Sequence, residues 1–460
     1  MRLPGREAGL GLTILAVIMV GLVIESALGE VASPEPPEVP GPLFTERALF
    51  CPPGVVDGKS FAIAASTGEP VSVGLEPARP DRVELPAGRI FVQELPGRVP
   101  TDVVGYGTPV RAGALVRSQR PVVGEGGARC SDRASLHWFF AAGASTLGVD
   151  ERLMIYNPFP DEAVVRVTFL TENGEERKGN LADVPVPSKS STEIRVNDFI
   201  RLERTLGVRI DTKRGRVVAW RMLFDDPDGG PTGVQMSLGA AATSDTWFFP
   251  DGGVGEGIEE RISIMNPGTE EAVVTISLTA GEDIIQPEEL VGIEVLPGTA
   301  RSMSLNDVLS QADQKVGGVS AIVQSTNGVG IVAERSVRYR SVRVSGSAAE
   351  VGAPRPAQGW LLPPATLNPS TDTVVVMNPG SSPATISLEL LFASSPPLTP
   401  SGLQDRAIPP GGRVKIGIGQ WTDLETTFVR LSSTAPVVAE RFSYSEVPND
   451  VGAVMGFPLE

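Results

Sequence analysis

The sequence predicts an all-β protein: tandem immunoglobulin-like or jelly-roll-like β-sandwich domains behind an N-terminal hydrophobic helix. Three observations predict it. Short runs of β-branched, near-alternating residues bounded by Asn, Pro and Gly recur along the chain. The most conspicuous block returns after about 109 and then about 113 residues, right for a small sandwich and too long for a solenoid unit. With 51 Gly, 41 Pro and only 20% charged residues, the chain is rich in turns and poor in amphipathic helix.

At the N-terminus, Arg2 and Arg6 precede an apolar run from Ala8 to Ile24, closed by Glu25. As a helix it spans roughly 26 Å, just short of a hydrocarbon core of about 30 Å. Residues 1–29 are expected to be a signal anchor, or a signal peptide if cut at the small residues of Ala27-Leu28-Gly29. In both cases the basic flank stays inside and the remainder is exported, which places the chain at the cell membrane or, once cleaved, outside it. Residues 30–43 contain five prolines and no aromatic residue up to Pro42, so they read as an extended stalk reaching about 40 Å.

Four units follow, near 44–131, 132–243, 244–356 and 357–460. The last three open with Trp138-Phe139-Phe140, Trp247-Phe248-Phe249 and Trp360-Leu361-Leu362. Roughly 19 residues later each has a strand ending in Asn157-Pro158, Asn266-Pro267 or Asn378-Pro379, where proline holds the asparagine out of the helical region. A second strand begins at Ala163, Ala272 or Ala384. The closing blocks are Val218-Ala219-Trp220-Arg221, Val332-Ala333-Glu334-Arg335 and Val438-Ala439-Glu440-Arg441. A weaker first copy pairs Phe61–Ala65 with Pro70–Val73, and matches Val116–Val123 to Val429–Val438. Asn197-Asp198 and Asn306-Asp307 are expected to cap a short helical turn. Cys51 and Cys130 bracket unit one, and an even count in an exported chain predicts a disulfide.

The opening Trp-Phe-Phe, the Asn-Pro turn and the Val-Ala-Glu-Arg close resemble a repeat common in actinobacterial exported proteins, with sandwich units similar to the soluble sensory rhodopsin transducer. The whole layout resembles an actinobacterial exported or membrane-anchored family of unknown function. The resemblance implies fold and location and assigns no functional residue. In this chain Ala142, Asp251 and Pro364 stand where the repeat usually has Glu.

The inventory of chemistry is thin. One histidine, His137, excludes a two-histidine metal site or a His-Glu-x-x-His protease within the chain, and no Gly-x-Ser-x-Gly elbow accompanies it. It reads as an ordinary strand-edge residue. A net charge of −16 argues against nucleic acid. Asp225, Asp226 and Asp228 form the densest oxygen cluster, a weak calcium candidate beside the plain-turn alternative. Trp220 stands where later units carry Glu334 and Glu440. Since charges are rarely fully buried, that position is expected to face solvent or a neighbouring unit. Trp220 and Trp421, each in one copy only, are therefore candidate binding residues, whereas Trp138, Trp247 and Trp360 read as core. The recurring Arg221, Arg335 and Arg441 are expected to satisfy backbone carbonyls or an acid, with Asp198 and Asp307 as plausible acids for two of them. No cofactor is called for. The expected function is a non-enzymatic envelope scaffold or adhesion protein binding an unidentified envelope protein or glycan. The alternatives are a carbohydrate-binding protein and, third, a glycan-processing enzyme.

Overall fold

One strand order is built in three units and, with changes, in the fourth. The computed structural model describes residues 46–459 apart from 56, 96, 108, 227–231, 281–282, 312–317, 342–343, 368 and 423–425, so the signal or anchor segment and the stalk lie outside the described residues. In unit two the main strands are His137–Gly143, Val149–Asn157, Ala163–Thr171, Gly174–Arg177, Ser190–Arg195, Leu206–Arg214, Val218–Asp225 and Gly233–Leu238, and a short edge strand, Val184–Val186, pairs with the third of them. Numbered in that order, the fifth, second, seventh and eighth form one antiparallel sheet, and the fourth, third, sixth and first form the other. Units one and three repeat both orders. In unit four a single strand, Phe428–Glu446, serves as sixth strand in one sheet and seventh in the other, so it bends across the sandwich. That unit has a single bridge, Leu390 to Leu398, at the place of the fourth strand and adds Phe457–Leu459 beside the first.

The recurrent residues hold this frame. Trp138, Trp247 and Trp360 are buried, and each indole N–H donates to a carbonyl beside the seventh strand: Val217 at 2.7 Å, Ile331 at 2.9 Å and Val437 at 2.8 Å. A buried indole is tolerated because its one donor is satisfied. Asn157, Asn266 and Asn378 are fully buried at the end of the second strand. Asn266 Nδ2 donates to the carbonyls of Glu270 (2.8 Å) and Val295 (2.9 Å), and its Oδ1 accepts from Gly268 N (3.0 Å). One side chain thus ties the turn to an edge strand, and Asn157 and Asn378 do the same.

Three local expectations are corrected. The Asn197 and Asn306 side chains do not cap their own turns. Each brackets the second strand instead: Asn306 Oδ1 accepts from Glu260 N (2.8 Å) and Nδ2 donates to Ile258 O (2.6 Å), as Asn197 does with Glu151 and Val149. In unit one the seventh strand is Val110–Ser118, so Val122-Val123 lies in the turn before the eighth strand, Gly124–Arg129. By register, Gly113 and Ala114 occupy the places of Trp220 and Arg221. The strand lacks the Glu-Arg signature, so the sequence offers nothing that fixes its register. Finally, Asp198 lies near Arg195 (3.7 Å), not Arg221.

Cys51 and Cys130 are bonded, with α-carbons 4.3 Å apart. The bridge closes a loop spanning a separation of 79 residues. On a chain-entropy basis it contributes about 4 kcal/mol by restricting the unfolded chain. Replacing both with serine should lower the urea midpoint of unit one, read by hydrogen exchange at Ala62 and Leu115; an unchanged midpoint would contradict this.

The four units close into a ring. Their eighth strands, Gly124–Arg129, Gly233–Leu238, Ser345–Val351 and Asn449–Met455, pack one against the next and the last against the first. Units four and one share an apolar seam of Ile63, Leu115, Leu361, Leu391 and Phe428. Unit one also donates Ile90 N to Phe392 O of unit four at 3.2 Å. Residues 46–460 are one compact body.

Candidate functional site

At the ring axis lies Asp450, fully buried. Its Oδ2 accepts from Glu125 N (3.0 Å) of unit one and Val234 N (2.9 Å) of unit two. Its Oδ1 accepts from Ser347 N (3.2 Å) of unit three and from its own neighbour Val451 N (2.8 Å). One carboxylate therefore gathers an amide from every unit. Burial pushes this carboxyl well above the ordinary range, against the pull of those four amides. The strand pairing puts Gly124, Gly233 and Gly346 at the register position of Asp450. A β-carbon at Gly233 would lie 2.8 Å from Asp450 Oδ1, and β-carbons at Gly124 and Gly346 would also collide with the carboxylate. Three glycines make room for one acid.

Around the axis, the Glu-Arg blocks act between units. Glu334 of unit three is fully buried and accepts from Ala141 N (2.9 Å) and Ala142 N (2.8 Å) of unit two. It also pairs with buried Arg221 of unit two, Nη1 to Oε2 at 3.1 Å. Glu440 of unit four repeats this with Arg335 and with Asp251 N (3.2 Å) of unit three. The exceptions follow from which amides need an acceptor. By alignment of the first strands, the places of Ala141 and Ala142 are Pro52-Pro53 in unit one, Pro250-Asp251 in unit three and Pro363-Pro364 in unit four. Proline has no N–H. Two free amides in unit two and one in unit three each meet a glutamate. Unit one has none to satisfy and faces Trp220; unit four has none and faces Gly113, where a β-carbon would strike Pro363 at 2.7 Å. With no glutamate arriving from unit one, Arg441 turns to Asp372 of its own unit, Nε to Oδ1 at 2.9 Å.

Trp220 is therefore not an exposed aromatic. It is fully buried, its indole N–H reaching Arg129 O of unit one at 3.3 Å, and Glu334 and Glu440 are equally buried. Of the two alternatives the sequence left for this position, solvent or a neighbouring unit, the second holds, and the charge is enclosed because the adjoining unit supplies its partners. Trp421 lies half-buried on a short helix, Gly419–Thr422, against the unit-four core. Asp225 is buried and pairs with Arg338 of unit three at 2.6 Å, while Asp226 is exposed and Asp228 lies outside the described residues. The structure thus commits Asp225 to a junction rather than to the loop. Among the described residues no group of three or more His, Cys, Asp or Glu is placed to hold a metal. His137 opens its strand, exposed, with Nδ1 2.9 Å from Asp211 Oδ1.

Buried carboxyls that crowd a shared guanidinium are pushed upward. Burial pushes Glu260 up to about 8 despite Arg335 and the Gly253 amide, with Asp251 and Glu440 adding to the rise. Burial likewise lifts Glu151 to about 7, against Arg221 and the Ala144 amide, with Glu334 adding to it. An unfolded glutamate titrates near 4.5. Between that value and about 8 the folded chain keeps a proton that the unfolded chain has released, so stability is full below the window and falls as pH rises through it. Glu260→Gln should flatten that fall, matching the parent near pH 5 and melting higher than the parent near pH 9. An unchanged slope would contradict the assignment.

One end of the axis opens into a cavity of about 500 Å³ to which all four units contribute, at Arg129, Leu238, Val351 and Met455. On its rim, burial raises Asp132, but the Arg133 hydrogen bond (2.9 Å) and the charges of Arg133, Arg111 and Arg129 outweigh it and hold the carboxyl low. This mixed apolar and cationic mouth is the candidate ligand site of the ring.

Fold and junctions define the class: an all-β protein of tandem sandwiches whose charged signature residues bind unit to unit. The chain belongs to a family of unknown function (DUF5719), whose model matches residues 118–308 and again 222–440. No curated protein matches it. Among solved structures it is similar to Thermotoga maritima 1070, with 21% identity over 24% of this chain and 94% of that one, at a TM-score of 0.21. It is also similar to the N-terminal tandem CBM22-1–CBM22-2 domain of Xyn10C from Paenibacillus barcinonensis, with 10% identity over 85% of this chain and 93% of that one, at a TM-score of 0.15.

Proposed function

We propose that this chain is a non-enzymatic scaffold of the cell envelope, held at the membrane by residues 1–29 and offering a rigid ring to an envelope protein or glycan. One observation carries the reading. Strongly shifted carboxyls usually mark active sites. Here Asp102, Glu125, Glu350, Glu440 and Asp450 sit at junctions between units or at the axis, and Glu151 and Glu260 sit beside the guanidinium groups of Arg221 and Arg335 that cross those junctions; all serve cohesion. The Cys51–Cys130 bond supports an oxidising compartment. Among the described residues no helix is long and apolar enough to cross a membrane, so anchoring rests on the N-terminal run. Fractionation of cells making the full chain tests this: it should pellet with membranes, need detergent for release, and carry the bond oxidised. Recovery in the cytosol with two free thiols would overturn the reading.

A further inference from the structure

Framework recurs, so a departure confined to one junction marks a speciality. At each junction the outer face of the sheet formed by the second, fifth, seventh and eighth strands meets the preceding unit. Three register positions on that face are Met154, Met222 and Phe224 in unit two, and Val375, Phe442 and Tyr444 in unit four, all buried. The same positions in unit three are Ser263, Ser336 and Arg338. In unit one they are Ile63, Leu115 and Arg117, the last paired with Glu125. Unit three alone is polar at all three, and the junction between units two and three keeps a polar groove of about 370 Å³.

Four arginines line that groove: Arg204 from unit two and Arg261, Arg338 and Arg340 from unit three. Two are neutralised, Arg338 by Asp225 (2.6 Å) and Arg261 by Glu259 (3.0 Å). Arg204 and Arg340 are exposed and have no acidic partner among the described residues. In a chain of net charge −16, two unneutralised guanidinium groups sharing one groove with serine hydroxyls are a local reversal of sign. Like charges held together repel, and an anion between them relieves that repulsion. The planar guanidinium fork matches an oxyanion with paired N–H donors, and serine hydroxyls add single donors beside it.

We propose that this groove binds a tetrahedral oxyanion, a phosphate or sulfate group, through Arg204 and Arg340 with Ser336 beside them. The group is either a free ion or an ester carried on a larger polymer. The site is separate from the axial mouth and stands whether or not the scaffold reading does.

Calorimetric titration of the full chain with inorganic phosphate, inorganic sulfate and linear polyphosphate, at matched ionic strength in chloride, tests it. The expected result is saturable binding at one site per chain, weakened about tenfold or more in the R204A/R340A double variant. R406A, which removes an exposed arginine of unit four, should leave the affinity unchanged. Ser336→Asp, which puts a carboxylate into the groove, should abolish binding and serves if the double variant does not fold. Tighter binding of polyphosphate than of the free ions identifies a polymer-borne ester, and equal binding a free ion; both uphold the site. No saturable binding by any of the three, or equal loss in R406A, overturns it.

Discussion

Glu334→Ala should destabilise the chain by about 3–5 kcal/mol, because it strands the buried Arg221 and leaves Ala141 N and Ala142 N without an acceptor. The loss is of a kind that an apolar replacement of both partners restores only in part. Arg221→Ala with Glu334→Trp would build, between units two and three, the pair already standing between units one and two, Ala114 and Trp220. That double variant should recover the cost of the unpaired guanidinium but not that of the two amides, which Pro52-Pro53 spare unit one. Chemical denaturation of the single and double variants measures the difference. A single variant within about 1 kcal/mol of the parent would mean that the pair contributes no more than a surface ion pair.

Asp450→Asn should be nearly as damaging despite its identical shape, costing at least about 3 kcal/mol. Each carboxylate oxygen receives two amides, so a carboxamide in either orientation turns its NH₂ toward two N–H donors. Because those donors belong to different units, the damage should loosen the ring as a whole rather than unit four alone. Thermal melts of Asp450→Asn should show an earlier onset in every unit.

Much of the frame was legible because it is repeated and periodic. The Trp and Asn positions, the alternating strands and the Cys51–Cys130 bond all follow from local pattern, turn chemistry and spacing. The site was legible only in outline. Val-Ala-Glu-Arg marked a position that faces a neighbour, but burial of Glu334 depends on amides about 190 residues earlier in sequence. The sequence does carry a signal for it: prolines at 52, 53, 250, 363 and 364 report which amides need no acceptor. Asp450 left a fainter trace, three glycines and one acid in register across four eighth strands. Only the strand pairing aligns them, since the turns before those strands differ in length and composition. The arginine groove had no local pattern, because its members come from separate strands and from two units.

Site-resolved hydrogen exchange of Asp450→Gly, which makes the axial position the same in all four units, tests the closed ring most directly. If one carboxylate holds four units together, the amides of Glu125, Val234 and Ser347 should all lose protection together, though each lies in a different unit from the substitution. Loss of protection confined to Val451 and its strand, with the other three amides unchanged, would contradict it.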